Sequence, residues 1–176
     1  STVGGNPGKG DFCLYHGNLS VAENKRAAVW LCGNVFSELN IPFVIAGKNP
    51  PADMDDIVKQ NKNISLIADP SGQKLDELIS AAQINILPSF STTGIKIKLL
   101  HALFRGRHCL VNNAMIDGTG LEALCHVAET AEQFKSLINQ LWDQPFTGDE
   151  VEKRNQVLKK EFDNRTNAEK LMQWIY

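Results

Sequence analysis

The sequence predicts an α/β protein built on a Rossmann-like, doubly wound parallel sheet. Short, continuously apolar runs alternate along the chain with segments of helical period, and such runs are typical of strands buried on both faces. The composition is that of a globular protein, with 43% hydrophobic and 22% charged residues in 176. That length is sufficient for one core, and right-handed crossovers would then give the Rossmann-like arrangement.

In the first half of the chain, strands are predicted at residues 11–16, 43–47 and 64–68. Ser20 is expected to cap a helix whose apolar period continues to Leu39, and Pro42 ends that segment. Asp53 is expected to open a short polar helix that reaches about Lys62.

In the second half, helices are predicted at residues 74–82 and 94–105, and strands at 84–89, 108–112 and 124–127. Gly106 should stop the second of these helices, and a glycine-containing loop through Gly118 and Gly120 should follow the strand at 108–112. Thr130 should begin an amphipathic helix, and the last thirty residues read as charged and helical.

Three segments are expected along the chain. Residues 1–10 are rich in glycine and contain proline, which predicts a linker from an N-terminal domain that the sequence does not contain. Residues 11–148 would form the Rossmann-like domain. Residues 149–176 would be C-terminal helices that pack on this domain or cross to the missing one.

Charge and cysteine usage exclude several classes of protein. The 18 Lys and Arg residues nearly balance the 20 Asp and Glu residues, so no overall attraction to nucleic acid or an anionic membrane is expected. No stretch approaches the ~20 apolar residues that span a bilayer, so any membrane association would come from the missing domain. The four cysteines lie in apolar runs without C-x-x-C spacing, which predicts buried thiols, a reducing (cytoplasmic) location and no metal site.

Ligands of an open parallel sheet bind beyond the carboxyl ends of its strands. This rule selects the loops at 17–20, 47–51, 89–94 and 112–120. The loop at 89–94 is rich in hydroxyl residues and precedes a helix start that carries Lys96 and Lys98. Lysines oppose the helix dipole there, so they indicate either a bound anion, most simply phosphate, or solvated surface residues. Gly94, Lys98 and His101 share one helix edge, which would direct His101 towards the same cleft or into ordinary packing.

Familiar nucleotide and hydrolase motifs are absent from the sequence. There is no G-x-x-x-x-G-K-[ST], no complete G-x-G-x-x-G and no G-x-S-x-G. Nucleoside triphosphate hydrolysis, dinucleotide binding by the usual fingerprint and serine hydrolase chemistry are therefore disfavoured.

Four segments carry a resemblance to a known family. The runs G-N-L-S (17–20) and F-V-I-A-G (43–47) look like the start of a nucleotide-sugar-binding domain, and I-S-A-A-Q-I-N-I-L-P-S (79–89) resembles its Y-x-x-A-D-x-x-x-x-P-S segment. T-G-I-K-I-K-L-L-H-A-L-F-R-G-R-H-C-L-V (93–111) resembles the signature G-x-x-x-K-x-L-E-A-M-A-x-G-x-P-V-V. Together they resemble the C-terminal half of a group 1, family 4-like glycosyltransferase of the two-domain GT-B fold, over about residues 12–141.

The resemblance implies roles for individual residues. Gly94 and Lys98 would face the diphosphate of the donor, with Lys98 as the catalytic cation. Gly17 and Asn18 would lie on the phosphate-side loop, where many relatives have arginine in place of Asn18, and Lys25 could supply the missing charge. The remaining expected donor-binding residues are Ser89, Thr93, Lys96, His101 and Gly118.

The chain departs from the family at its two acidic positions. These fall on Thr93 and His101, and neither is acidic. The second acid normally accepts hydrogen bonds from the ribose, and a neutral His101 offers only one acceptor nitrogen.

The implied function is a donor-binding domain that holds a nucleotide-diphosphate sugar for transfer to an acceptor on the N-terminal domain. The transferase would be of the hexosyl type, retaining and without a separate cofactor. Two alternatives stay open. One is a non-catalytic, glycosyltransferase-like binding module with a degenerate acidic motif, and the other is a nucleotide-sugar epimerase or other Rossmann-like enzyme.

Overall fold

The protein, described from a computed structural model over residues 5–91 and 96–162, contains a six-stranded parallel sheet. The spatial order of the strands is β3-β2-β1-β4-β5-β6, in which every neighbouring pair is parallel. The chain therefore builds the sheet outwards from β1 in one direction and then from β4 in the other, which confirms the doubly wound prediction. The strands are β1 (Cys13–Asn18), β2 (Phe43–Lys48), β3 (Ile64–Ala68), β4 (Ile84–Leu87), β5 (His108–Val111) and β6 (His126–Val127).

Helices connect these strands, as parallel pairing requires, and two more follow the last strand. Within the described residues they are α1 (Ala22–Asn34), α2 (Met54–Lys59), α3 (Gly72–Ala81), α4 (Ile97–Arg105), α5 (Asn113–Ile116), α6 (Ala131–Trp142) and α7 (Gly148–Phe162).

Both faces of the sheet are covered, which explains why its strands read as uninterrupted apolar runs. Along β1, Cys13 and Tyr15 belong to the larger core, whereas Leu14 between them packs into a smaller core on the other face. This alternation follows from the period of two along a strand.

The helix starts were predicted less well than the strands. Ser20 does not cap α1, because its Oγ donates to Asn18 Oδ1 at 2.8 Å and Val21 occupies the N-cap position without a side-chain bond. The predicted cap at Thr130 is confirmed, and it forms a reciprocal capping box with Gln133. Helix α4 begins at Ile97, with Lys96 as its N-cap, and residues 92–95 lie outside the described part of the chain.

The described parts of the two terminal segments contact the domain. Gly10 N donates to Gln83 Oε1 at 2.8 Å, and Gly8 forms an antiparallel bridge with Phe146. In α7, the buried guanidinium of Arg154 donates to Gly106 O and to Arg107 O, each at 2.7 Å. Residues 5–10 therefore run along the domain, and α7 packs on it; the boundaries at residues 10 and 148 stay predictions, and residues 163–176 lie outside the described part.

In the described ranges, no helix combines the length and the apolar character needed to cross a membrane.

Candidate functional site

The crevice expected for a ligand lies between β1 and β4, where the strand order reverses. Two cavities of about 180 Å³ each open there, and Ile97 and Lys98 of α4 line both. The first cavity is otherwise lined by Glu23, Asn24, Ser89, Ser91, Lys96 and Met115. The second is otherwise lined by His16, Gly17, Asn18, Ala46, Lys48, Pro70, Leu75 and His101.

Lys98 is held at the junction of the cavities by neutral partners. Its Nζ donates to Asn24 Oδ1 at 2.7 Å, lies 3.4 Å from Tyr15 OH, and sits 5.1 Å from the centre of the Tyr15 ring. Burial, reinforced by the positive charge of Lys96, lowers the pKa of Lys98 to about 8. The crevice therefore contains a partly desolvated cation whose protonation changes just above neutral pH.

The turn after β1 is fitted around this lysine. Asn24 Nδ2 donates to Asn18 O at 2.9 Å, and Tyr15 OH donates to Asn24 O at 3.1 Å. A Cβ at Gly17 would lie 3.3 Å from Asn24 Cγ and 3.5 Å from Lys98 Nζ. The structure thus brings Gly17 and Asn18 beside Lys98, and the small residue at 17 leaves room for its ammonium group.

Lys96 and Ser89 lie on the other side of the first cavity. Lys96 Nζ donates to Ser91 O at 3.0 Å, and Ser89 Oγ donates to the same carbonyl at 2.8 Å. Asn112 holds this turn in place, accepting from Ser89 N at 2.9 Å and donating to Ser89 O at 2.7 Å. Two ammonium groups therefore border one cavity, while Thr93 and Gly94, also predicted to contribute, lie outside the described residues.

His101 lines the second cavity and is engaged from behind. Its Nε2 lies 2.6 Å from Asp76 Oδ1, and Asp76 Oδ2 lies 3.2 Å from the Arg105 guanidinium. Burial lowers the pKa of His101 and outweighs the hydrogen bond from Asp76, which raises it. The ring of His16 approaches His101 edge to face at 5.8 Å, and burial keeps the pKa of His16 well below its usual value. The imidazole at position 101 is thus bound to a carboxylate of α3 that lines neither cavity.

Lys25 and Gly118, both predicted to bind the donor, line neither of these two cavities. Lys25 Nζ forms an ion pair with Asp53 at 2.6 Å and lines a shallow depression on the outer face of α1 with Trp30. Gly118 follows α5 in a left-handed conformation, with φ of 74°, and Met115 is the residue of that loop that lines the first cavity.

The sequence analysis missed the residues that hold the site together. Tyr15 and Asn24 orient Lys98, Asp76 engages His101, and Asn112 fixes the turn at Ser89. Of these, only Asn112 carried a signal, since it ends a predicted strand and begins the loop at 112–120 that was selected for a ligand. The others act across gaps of 25 to 83 residues, which sequence spacing does not reveal.

In the described part of the chain, no group of three or more His, Cys, Asp or Glu side chains is arranged to hold a metal ion.

The strand order and the switch-point crevice define a Rossmann-like ligand-binding domain. The family model described as "Glycosyl transferases group 1" matches residues 10–144, so the chain belongs to the group 1 glycosyltransferase family. This confirms the resemblance found in the sequence. A comparison with curated proteins gives no match.

Solved structures share this fold at low sequence identity. TarM is 12% identical with a TM-score of 0.62 over 95% of this chain and 35% of its own. AviGT4, a glycosyltransferase involved in avilamycin A biosynthesis, is 16% identical with a TM-score of 0.56 over 95% of this chain and 51% of its own. WaaG, a glycosyltransferase involved in lipopolysaccharide biosynthesis, is 13% identical with a TM-score of 0.62 over 94% of this chain and 46% of its own. The chain therefore spans half or less of the length of TarM and WaaG, and about half that of AviGT4.

Proposed function

We propose that this chain is the donor-binding domain of a glycosyltransferase and that it holds the diphosphate of a nucleotide-diphosphate sugar beside Lys98. The observation that carries the proposal is the pair of lysines at the first cavity, where the carboxyl ends of β1 and β4 diverge. Two cations with hydroxyl and amide groups around them suit a phosphate-bearing ligand.

Lys98 would serve the transfer step by electrostatics. When the bond between the anomeric carbon and the diphosphate oxygen breaks, negative charge develops on the departing diphosphate. An ammonium group already held by Asn24 and Tyr15 would stabilise that charge with little reorganisation. Lys96, from the other side of the cavity, would add to the same field.

The proposal also covers parts of the reaction that lie outside this chain. The acceptor would bind to a separate N-terminal domain, in keeping with the share of the solved structures that this chain spans. We propose a retaining hexosyl transfer with the nucleotide sugar as substrate and no separate cofactor. All four cysteines are free thiols, which fits the cytoplasmic location that we propose with it.

Calorimetry on the purified protein with UDP, GDP, ADP and CDP tests the donor site. Replacing Lys98 by alanine should weaken binding of the preferred diphosphate by about 10- to 100-fold, since a hydrogen bond to a charged group contributes roughly 1.5–3 kcal/mol. Lys59→Ala, which removes an exposed lysine of α2, is the matched control and should leave the affinity unchanged. Equal affinities of the Lys98 variant and the wild type would contradict the assignment.

A binding module without transferase activity is the second candidate. The observation that favours it is position 101, where a family acid is replaced by a histidine engaged by Asp76. Transfer of a radiolabelled sugar by the full-length protein separates the two: a binding module would retain the nucleotide sugar without consuming it.

A further inference from the structure

Two thiols face each other at the β5–β6 edge of the sheet, at the end opposite the crevice. β5 and β6 are parallel, with Leu110 opposite His126. One residue earlier in both segments, Cys109 lies opposite Cys125, which is the residue immediately before β6. Aligned residues of neighbouring strands point to the same face, and the Cys109 thiol is close enough to raise the pKa of Cys125.

The backbone geometry suits a covalent bond between them. Adjacent strands lie about 4.7–4.9 Å apart, and disulfides join Cα atoms that are usually about 4.4–6.8 Å apart. Because the two side chains leave aligned positions on the same face, rotation of the side chains can close the remaining distance.

The two cysteines differ in access. Both cysteines border a cavity of about 120 Å³, but Cys109 is fully buried whereas Cys125 is partly exposed. His126, Glu150 and Arg154 border the same cavity. A small reagent would therefore reach the Cys125 thiol first, and the buried Cys109 thiol would then react with the oxidised Cys125.

We propose that Cys109 and Cys125 form an oxidation site, at which a peroxide converts the two thiols into an intramolecular disulfide. Cys125 sulfur, having lost its proton, attacks one peroxide oxygen and breaks the O–O bond, giving a sulfenic acid and one water. Cys109 sulfur then attacks Cys125 sulfur, the S–O bond breaks, and a second water leaves with the proton of Cys109. Two thiols are oxidised by two electrons while hydrogen peroxide is reduced to two waters.

The surroundings set the rate of this reaction. The neighbouring Cys109 thiol and burial raise the pKa of Cys125, and Glu122 adds to the effect while Arg154 opposes it. Because the thiolate is the attacking form, oxidation should be slow at neutral pH and accelerate as the pH rises.

The disulfide would restrain the loop that runs from β5 beneath the ligand crevice. The chain between the two cysteines contains α5, together with Asn112, which holds the turn at Ser89, and Met115, which lines the first cavity. Closing a loop of this length should raise the melting temperature by about 6–12 °C, mainly by restricting the unfolded chain.

Mass spectrometry of the purified protein treated with hydrogen peroxide tests the site directly. The intact mass should fall by two hydrogens, and digestion without reductant should yield one cross-linked peptide pair joining Cys109 to Cys125. Cys13 and Cys32, buried in β1 and α1, should remain alkylatable after unfolding. Full alkylation of Cys109 and Cys125 after treatment, a cross-link to another cysteine, or sulfinic acid at Cys125 without a cross-link would each overturn the proposal.

Two variants make the melting experiment specific. Cys125→Ala should abolish both the cross-link and the rise in melting temperature on oxidation, whereas Cys32→Ala should keep both. A cross-link formed without any rise in the wild type would overturn the restraint of the loop. The outcome does not depend on whether the crevice binds a nucleotide, because no donor is present.

Discussion

The affinity of this protein for a nucleoside diphosphate should fall steeply as the pH rises through about 8. Burial lowers the pKa of Lys98 from 10.5 to about 8, so the free protein loses this cation at a pH where an exposed lysine would keep it. A diphosphate binds to the protonated form, and it must therefore recruit a proton once the pH exceeds that pKa.

The size of the effect follows from the protonated fraction. If only the ammonium form binds, the apparent dissociation constant grows by a factor of one plus ten raised to the difference between the pH and the pKa. Between about pH 7.5 and about pH 9.5 that factor increases on the order of 25-fold for a pKa near 8. The terminal phosphate loses its last proton with a pKa of about 6, so it is already ionised over this range. Its own titration therefore contributes little to the change in affinity.

Calorimetric titration at intervals of pH measures the profile, and Lys98→Arg provides the control. An arginine stays protonated throughout, so its profile should be much flatter than that of the wild type. A flat profile for the wild type, or an equally steep one for the arginine variant, would refute the role of the lysine proton.

The same lowered pKa has the opposite consequence for folding. The unfolded chain binds this proton more tightly than the folded one, so stability should rise as the pH increases from about 8 to 10.5. The difference of about 2.5 pKa units corresponds to a gain on the order of 3 kcal/mol. Urea unfolding of Lys98→Met and the wild type at both ends of this range measures it, and a difference independent of pH would contradict the account.

Four further substitutions, one of them a control, test the packing around the site and the edges of the fold. Asn24→Ala removes the 2.7 Å partner of Lys98 and should weaken diphosphate binding about 3- to 10-fold in calorimetry, with a near-normal melting temperature. Arg154→Met leaves the carbonyls that end α4 without their buried donor and should cost about 2–4 kcal/mol in urea unfolding. Gly47→Ala drives a Cβ into a buried leucine side chain and should lower the melting temperature, whereas Gly33→Ala, with open space around it, should leave it equal or higher.

Each of these predictions can be contradicted by one result. An unchanged affinity in the Asn24 variant would mean that the lysine needs no anchor. Wild-type stability of the Arg154 variant would show that water replaces the guanidinium at the end of α4. Equal melting temperatures of the two glycine variants would mean that the sheet shifts to accept the added methyl group.

The strands and the edge of the sheet that carries the crevice could be predicted because both follow from local pattern. Buried parallel strands are apolar along their whole length, and the cores on both faces of β1 show why. Lys96, Lys98 and Ser89 were predicted to converge because the carboxyl ends of parallel strands meet at one edge, and they do line one cavity.

The helix starts and some site residues were predicted less well because their side chains form other hydrogen bonds and ion pairs than the expected ones. Ser20 bonds with Asn18 instead of capping α1, and Lys25 pairs with Asp53 on the outer face of α1. A helix cap and an exposed ion pair each contribute only about 1 kcal/mol, so a nearby alternative partner readily replaces the expected one.

The sequence by itself determined the alternation of strand and helix, the family of the chain and the loops that border the crevice. It could do so because the apolar period and the short motifs are properties of short stretches of sequence. Only the tertiary structure decided that Tyr15 and Asn24 hold Lys98, that Asp76 engages His101, and that Cys109 meets Cys125. Such contacts depend on which strands and helices become neighbours and, for Cys109 and Cys125, on the register between β5 and β6. A one-residue change of register would separate them while leaving the sequence pattern intact.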